Sequence, residues 1–169
     1  KDITLQRSNH TQRLERYISK FAPAFETIEA LRIENLLGLN KLRITYNRRM
    51  DYIAPGVLMG HGDEGVMSKQ AGLTSLTLAI RTGQNVVCGH THRQGISQAS
   101  RGFGGRLNTI WGMEVGHLMN LNDATYIKER AANWQAGFGM LYVEGNQVAP
   151  AIIKINNQGK FIADGEQWG

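Results

Sequence analysis

The stretch Asn85-Val86-Val87-Cys88-Gly89-His90-Thr91-His92 decides how this chain is read. Its first four residues form a short apolar run of the kind that makes a strand. Gly89 lets the backbone turn sharply beside it. His90 and His92, one residue apart beyond the strand end, present two imidazoles, the side chain most often used to ligate metals. Working upstream, Ser68 to Thr82 carries Leu73, Leu76 and Ile80 on one helical stripe, with Gly83 placed to cap it. Farther back, Tyr52 to Met59 is an apolar run broken by Pro55-Gly56, an approach loop and then a strand, followed by Gly60-His61-Gly62. Strand, helix, strand, with a histidine after each strand, predicts an α/β fold whose ligands sit beyond the carboxyl ends of the strands.

The flanks extend this pattern. Leu14, Tyr17, Ile18 and Phe21 recur at helical spacing before Pro23, and Phe25, Ile28, Leu31 and Leu36 form a second periodic stretch ending at Gly38. Lys41 to Asn47 alternates as a strand does. After Gln94 the chain turns β-rich: Gly95 to Ser97, Leu107 to Val115, Gly139 to Val143, Val148 to Ile155 and Phe161-Ile162, separated by glycines and asparagines. No repeat or linker interrupts it, so residues 1–169 are read as a single domain.

Composition narrows the class. With 169 residues, 41 % of them hydrophobic and 20 % charged, the chain can bury a core and does not resemble a disordered segment. It lacks any run approaching the ~20 apolar residues of a membrane span. The first residues show no secretory stretch, and Cys88 is the one cysteine, so a cytoplasmic setting without disulfides is the expectation. Cys88 itself is read as a small buried hydrophobe. A net charge of +5 suits an anionic partner such as nucleic acid.

Taken in order, Asn9-His10, Gly60-His61 and Gly89-His90-Thr91-His92 resemble the last three motifs of the calcineurin-like metallophosphoesterases. That family has five motifs: Asp-x-His, Gly-Asp-x-x-Asp, Gly-Asn-His-(Glu/Asp), Gly-His and Gly-His-x-His. The fifth is matched in full at 89–92 and the fourth at Gly60-His61. The third is matched in part, with Ser8 in place of glycine and Thr11 in place of an acid. The resemblance spans roughly residues 8 to 117.

It implies part of a two-sheet α/β/β/α sandwich and a phosphoesterase, in the first instance a phosphodiesterase, with nucleic acid a candidate substrate. Such an enzyme uses two divalent ions ~3.5–4 Å apart to activate a hydroxide and to neutralise phosphoryl charge. By the resemblance, Asn9 would give its carboxamide oxygen to one ion together with His61 and His90. His92 would bind the other. His10 would face the phosphate as a proton donor or charge stabiliser. Mn²⁺ is the expected ion, with Fe, Zn²⁺ and Ni²⁺ as alternatives. Arg93 is placed to meet a phosphate oxygen.

Several residues carry two readings. Ser8-Asn9 is also a good helix N-cap sequence. Asp63 and Glu64 are solvated loop acids or groups that support a ligand shell. Arg101 to Arg106 is either a glycine-rich hairpin or a site where arginines meet phosphates and Phe103 stacks on a base. His117, in Gly116-His117-Leu118, matches no motif and is read as structural, and Trp111 and Trp134 as core.

The first two motifs are absent from the sequence, and with them the bridging carboxylate. The expectation is therefore the C-terminal portion of a phosphoesterase domain, completed by the N-terminal half of the same protein or by a complementing chain. The 169 residues alone should hydrolyse phosphodiesters weakly or not at all. The rival reading is a catalytically idle phosphoesterase-like module serving assembly or nucleic-acid binding in a phage-like complex.

Overall fold

The computed structural model describes residues 2–121, 124 and 132–169. The chain divides into two compact units, Lys1–Asp51 and Tyr52–Gly169.

In the first unit β1 (Ile3–Gln6) pairs parallel with a later strand, and α1 (Gln12–Phe21) follows it. Of the apolar positions that predict α1, Ile18 is the one buried. A continuous second helix through Phe25 to Leu36 does not form. The backbone is extended at Ile28 and Arg32, leaving 3₁₀ turns at Pro23–Phe25 and Glu29–Leu31 and one helical turn, α2 (Ile33–Leu36). Segments this short do not repay helix nucleation on their own. Asn35 helps close the chain by donating from Nδ2 to the Glu29 carbonyl at 2.6 Å. β2 (Ile44–Asn47) completes the unit, with Ile3 opposite Ile44 and Gln6 opposite Asn47.

The second unit runs β3 (Asp51–Ala54), β4 (Val57–Gly60), α3 (Leu73–Thr82), β5 (Asn85–Cys88), β6 (Gln94–Phe103) and β7 (Arg106–Val115). Two strand pairs close the chain's β-rich end: β8 (Gly137–Glu144) with β9 (Gln147–Lys154), then β10 (Phe161–Ala163) with β11 (Glu166–Trp168). The main sheet has the order β3-β4-β5-β7-β6. β4, β5 and β7 are parallel, and β6 is antiparallel to β7. The expected approach loop at Tyr52 is in fact strand β3. The helix starts at Leu73 rather than Ser68, behind a left-handed Gly72, and ends on Gly83 at φ +70.

Val57, Val87, Trp111 and Met113 form the core, with Leu141, Val148 and Ile152 of the β8–β9 hairpin packed onto them. Trp111 is thus a core residue. On α3, Leu76, Leu78 and Ala79 are buried. A Cβ on Gly112 would run into the Leu76 nitrogen, so glycine lets α3 lie directly on β7. The result is a mixed α/β fold.

Beyond the core the β6–β7 ribbon runs out into solvent, exposed from Ser100 through Thr109. Gly104 and Gly105, both at positive φ, make its two-residue turn. Phe103 is opposite Arg106 and Arg101 opposite Asn108, so these four share one ribbon face. Ser100 and Thr109 hydrogen-bond at 2.8 Å on the other. Phe103 is 96 % exposed.

Candidate metal centre

Three neighbouring parallel strands each run directly into a Gly-His pair or end on its glycine. β4 leads into His61 through Gly60, β5 into Gly89-His90, and β7 into Gly116-His117. Gly60 is in register with Cys88, and Cys88 with Glu114, so all three histidines leave the same edge of the sheet.

The first two meet. His90 Nδ1 and His61 Nε2 share a hydrogen bond at 3.0 Å, either ring being able to donate it, and their ring centroids are 4.7 Å apart. The backbone fixes this contact. Gly89 N–H donates to the His61 carbonyl at 3.0 Å. The Glu64 carboxylate accepts from the His61 and Gly62 N–H groups at 3.1 and 2.7 Å, folding the loop back on itself. A Cβ on Gly62, at φ +115, would crowd His90 Cβ and the Gly89 carbonyl at 3.0 and 3.1 Å, so the two loops approach only over glycine. His90 and His92 both lie in the left-handed region, φ 61 and 59. Such strain in non-glycine residues is held where surrounding contacts impose it.

His92 belongs to a second group. Its ring centroid is 6.0 Å from that of His117 and 4.5 Å from that of Trp134. Gln135 joins the two histidines through the backbone, donating to the His92 carbonyl at 2.9 Å and accepting from His117 N–H at 3.1 Å. Trp134, read as core, is instead a wall of this ring cluster.

Beneath both groups lies Glu114, fully buried. It accepts from the Thr74 N–H in the first turn of α3 at 2.9 Å and from the Thr91 hydroxyl at 2.7 Å. The helix N-terminus and these donors suit an anion. Arg93 Nε is 3.7 Å from the same carboxylate, and its guanidinium also donates to the Lys69 carbonyl at 3.2 Å and to that of Ser68. Arg93 would have to leave these partners to reach a phosphate. Cys88, 1 % exposed, sits alongside. Burial pushes its thiol far up, and the Glu114 and Glu64 carboxylates add to the shift.

Asn9 and His10 are in the first unit, in the turn that precedes α1. Ser8 and Thr11 close that turn reciprocally: Thr11 N–H donates to Ser8 Oγ at 3.0 Å and Ser8 N–H to Thr11 Oγ1 at 2.9 Å. The Tyr46 hydroxyl donates to Thr11 Oγ1 at 2.9 Å. Asn9 is half-buried and His10 exposed. The two positions that depart from the family motif are therefore those that shape the turn.

Among the described residues, no three His, Cys, Asp or Glu side chains gather as a metal-holding group. Sequence reading overlooks Glu114 as a keystone and assigns His117 a structural part. The signal for His117 is the repeated Gly-His after a strand. What the sequence lacks is the strand order, which places β7 beside β5.

These features define a mixed α/β protein with a histidine-lined sheet edge. No helix among the described residues is long and apolar enough to cross a membrane. The chain is 41 % identical to the Gene 54 protein of Mycobacterium phage D29 over 170 aligned positions, covering 98 % of this chain and 66 % of that protein. It is 38 % identical to the Gene 54 protein of Mycobacterium phage L5, with the same coverage. The chain thus spans 66 % of the length of these relatives. Neither a protein-family model nor a solved structure matches it.

Proposed function

We propose that this chain carries the imidazole part of the metal site of a phosphoesterase, a phosphodiesterase acting on nucleic acid. The observation that carries the reading is the 3.0 Å approach of His61 Nε2 and His90 Nδ1 at the ends of adjacent strands. Two nitrogens on ~2.1 Å bonds at a right angle to one ion would be ~3.0 Å apart, so an ion could take the pair as adjacent ligands in exchange for the hydrogen bond they share. A divalent ion there, Mn²⁺ first and Fe, Zn²⁺ or Ni²⁺ as alternatives, supplies Lewis acidity and a water of lowered pKa. The residues do the rest. Glu64 and Gly62 hold the His61 loop against Gly89, and Glu114 holds Thr91 between the two ligating histidines of its loop. By the family resemblance Asn9 would add a carboxamide oxygen and His10 a proton for the leaving oxygen. The β8–β9 hairpin packed on the main sheet, with α3 on β7, supports half of an α/β/β/α sandwich.

The nucleic-acid substrate is supported by the net charge of +5 and by the ribbon face bearing Arg101, Phe103, Arg106 and Asn108. An exposed aromatic between arginines offers a base a stacking surface and its phosphates two cations.

The test is hydrolysis of bis(p-nitrophenyl) phosphate by the longest native form of the protein with Mn²⁺, beside its metal content, for wild type and His90→Ala. The expected result is turnover that falls to background in the variant together with loss of the ion held by His61 and His90. A second reading, an idle module used in assembly, rests on Ser8 and Thr11, the two departures from the third motif, which bond to each other to close a turn. It predicts bound metal without turnover in the same assay. Unchanged turnover and metal content in His90→Ala removes the enzyme reading.

A further inference from the structure

We propose that His117 is a metal ligand, and that with His92 it forms a second imidazole pair for a borderline divalent ion such as Zn²⁺, Co²⁺ or Ni²⁺. The inference rests on the reading of His92 as a ligand and adds a residue that no family motif supplies.

The first observation is an orphaned ring. His117 is 8 % exposed, and neither of its ring nitrogens has a hydrogen-bond partner among the described residues. Leaving a buried polar group unsatisfied is costly, and such a group in a native fold calls for an explanation in a bound water or ion. An apolar ring would fill the same space without that cost. A neutral imidazole keeps a nitrogen lone pair, which makes it a ligand.

The second observation is position. His117 follows β7 as His90 follows β5 and His61 follows β4, so the third parallel strand repeats the Gly-His arrangement of the other two. The third is the tie to His92. Ring centroids 6.0 Å apart are about 0.8 Å wider than the ~5.2 Å of two imidazoles on one tetrahedral ion at ~2.0–2.1 Å bonds, so the rings need a small inward rotation to share it. Gln135 fixes both backbones, and Trp134 walls the pair at 4.5 Å from His92. Imidazole donors select Zn²⁺, Co²⁺ or Ni²⁺ over Ca²⁺ and Mg²⁺. The ion needs no covalent step: it takes lone pairs on rings whose backbones are already fixed.

The experiment is equilibrium dialysis of this chain against Co²⁺, with the visible Co²⁺ absorption as a second readout, for wild type, His117→Gln, His92→Gln and His61→Ala. Wild type should bind two ions. His117→Gln and His92→Gln should each weaken one ion at least ~10-fold and leave the other in place, while His61→Ala removes the other. If His117→Gln does not fold, the imidazole ¹⁵N resonances of the wild-type chain decide: those of both His92 and His117 should shift on Zn²⁺ addition. Wild-type stoichiometry and affinity in His117→Gln, or a His117 resonance unmoved by saturating Zn²⁺, overturns the proposal. Loss of binding in His61→Ala alone, with His117→Gln unchanged, sinks this inference and leaves the phosphoesterase reading standing. The reverse pattern sinks that reading and leaves this one.

Discussion

His90 and His92 hold left-handed backbone conformations on either side of Thr91, whose hydroxyl is anchored to a fully buried carboxylate. The bond from Thr91 to Glu114 is one of the contacts that hold the two conformations, beside those of Gly89 to His61 and of Gln135 to His92. Replacing His90 by glycine should relieve its share of the strain and raise stability by about 1 kcal/mol while abolishing uptake of the ion held with His61. Urea unfolding and metal titration of the same sample check both; a less stable His90→Gly would show that the loop is not strained. Thr91→Val removes a hydrogen bond to a charged group and should cost about 1.5–3 kcal/mol in the same assay. Glu114→Ala leaves the Thr74 N–H and the Thr91 hydroxyl without their acceptor and Arg93 without its nearby carboxylate, and should cost about 3–5 kcal/mol. Equal and small effects of the two would mean that the carboxylate is not the keystone. Cys88, with its thiol pushed up by burial and neighbouring carboxylates, should react with thiol reagents only after unfolding. Rapid labelling of the native protein would contradict its placement.

Among elements, β5, α3 and β7 are legible because each carries a plain signal. Val86 and Val87 are an apolar run, Leu76 and the Gly83 cap mark a helix, and Trp111, Met113 and Val115 recur at every second position as on a strand. The segment Phe25 to Leu36 misleads because apolar spacing alone does not report extended backbone at Ile28 and Arg32. β1 escapes although Ile3-Thr4-Leu5-Gln6 alternates apolar and polar, because four residues are the shortest run such a pattern can mark. The site is legible in its parts: the Gly-His pairs are visible, and His61 and His90 do meet. Strand order is not, because it depends on pairings between residues far apart in sequence, and with it goes His117. At Gly112 close packing makes a firm prediction: Gly112→Ala drives a Cβ into α3 and should destabilise by about 3 kcal/mol. The exposed ribbon behaves oppositely. Phe103→Ala should leave stability within about 0.5 kcal/mol and weaken oligo(dT) binding, measured by anisotropy in EDTA, by about 1–3 kcal/mol. Unchanged affinity would remove the ribbon from the nucleic-acid interface.

At the scale of the whole molecule, two compact units carry different chemistry. The first is braced by Arg48, which donates to Glu15 at 2.9 Å and Glu34 at 2.7 Å. Burial raises the Glu34 carboxyl, but its own backbone hydrogen bond and Arg48 outweigh that and hold it below the ordinary value of 4.5. Its folded value is thus lower than its unfolded one. The contribution to stability is present above pH 4.5 and is lost as pH falls through the lowered value. With Arg48 half exposed, the effect should be under about 1 kcal/mol. Arg48→Met should flatten that part of the pH profile; an unchanged profile would assign the acid sensitivity elsewhere. The second unit presents three strand-end histidines along one sheet edge, and the function proposed for the molecule depends on whether that edge holds cations. Calorimetric titration of the chain with Zn²⁺, wild type against His61→Ala/His90→Ala, tests this most directly. Saturable binding that the double substitution removes from the His61–His90 pair is the predicted result. Identical isotherms for the two proteins would contradict it.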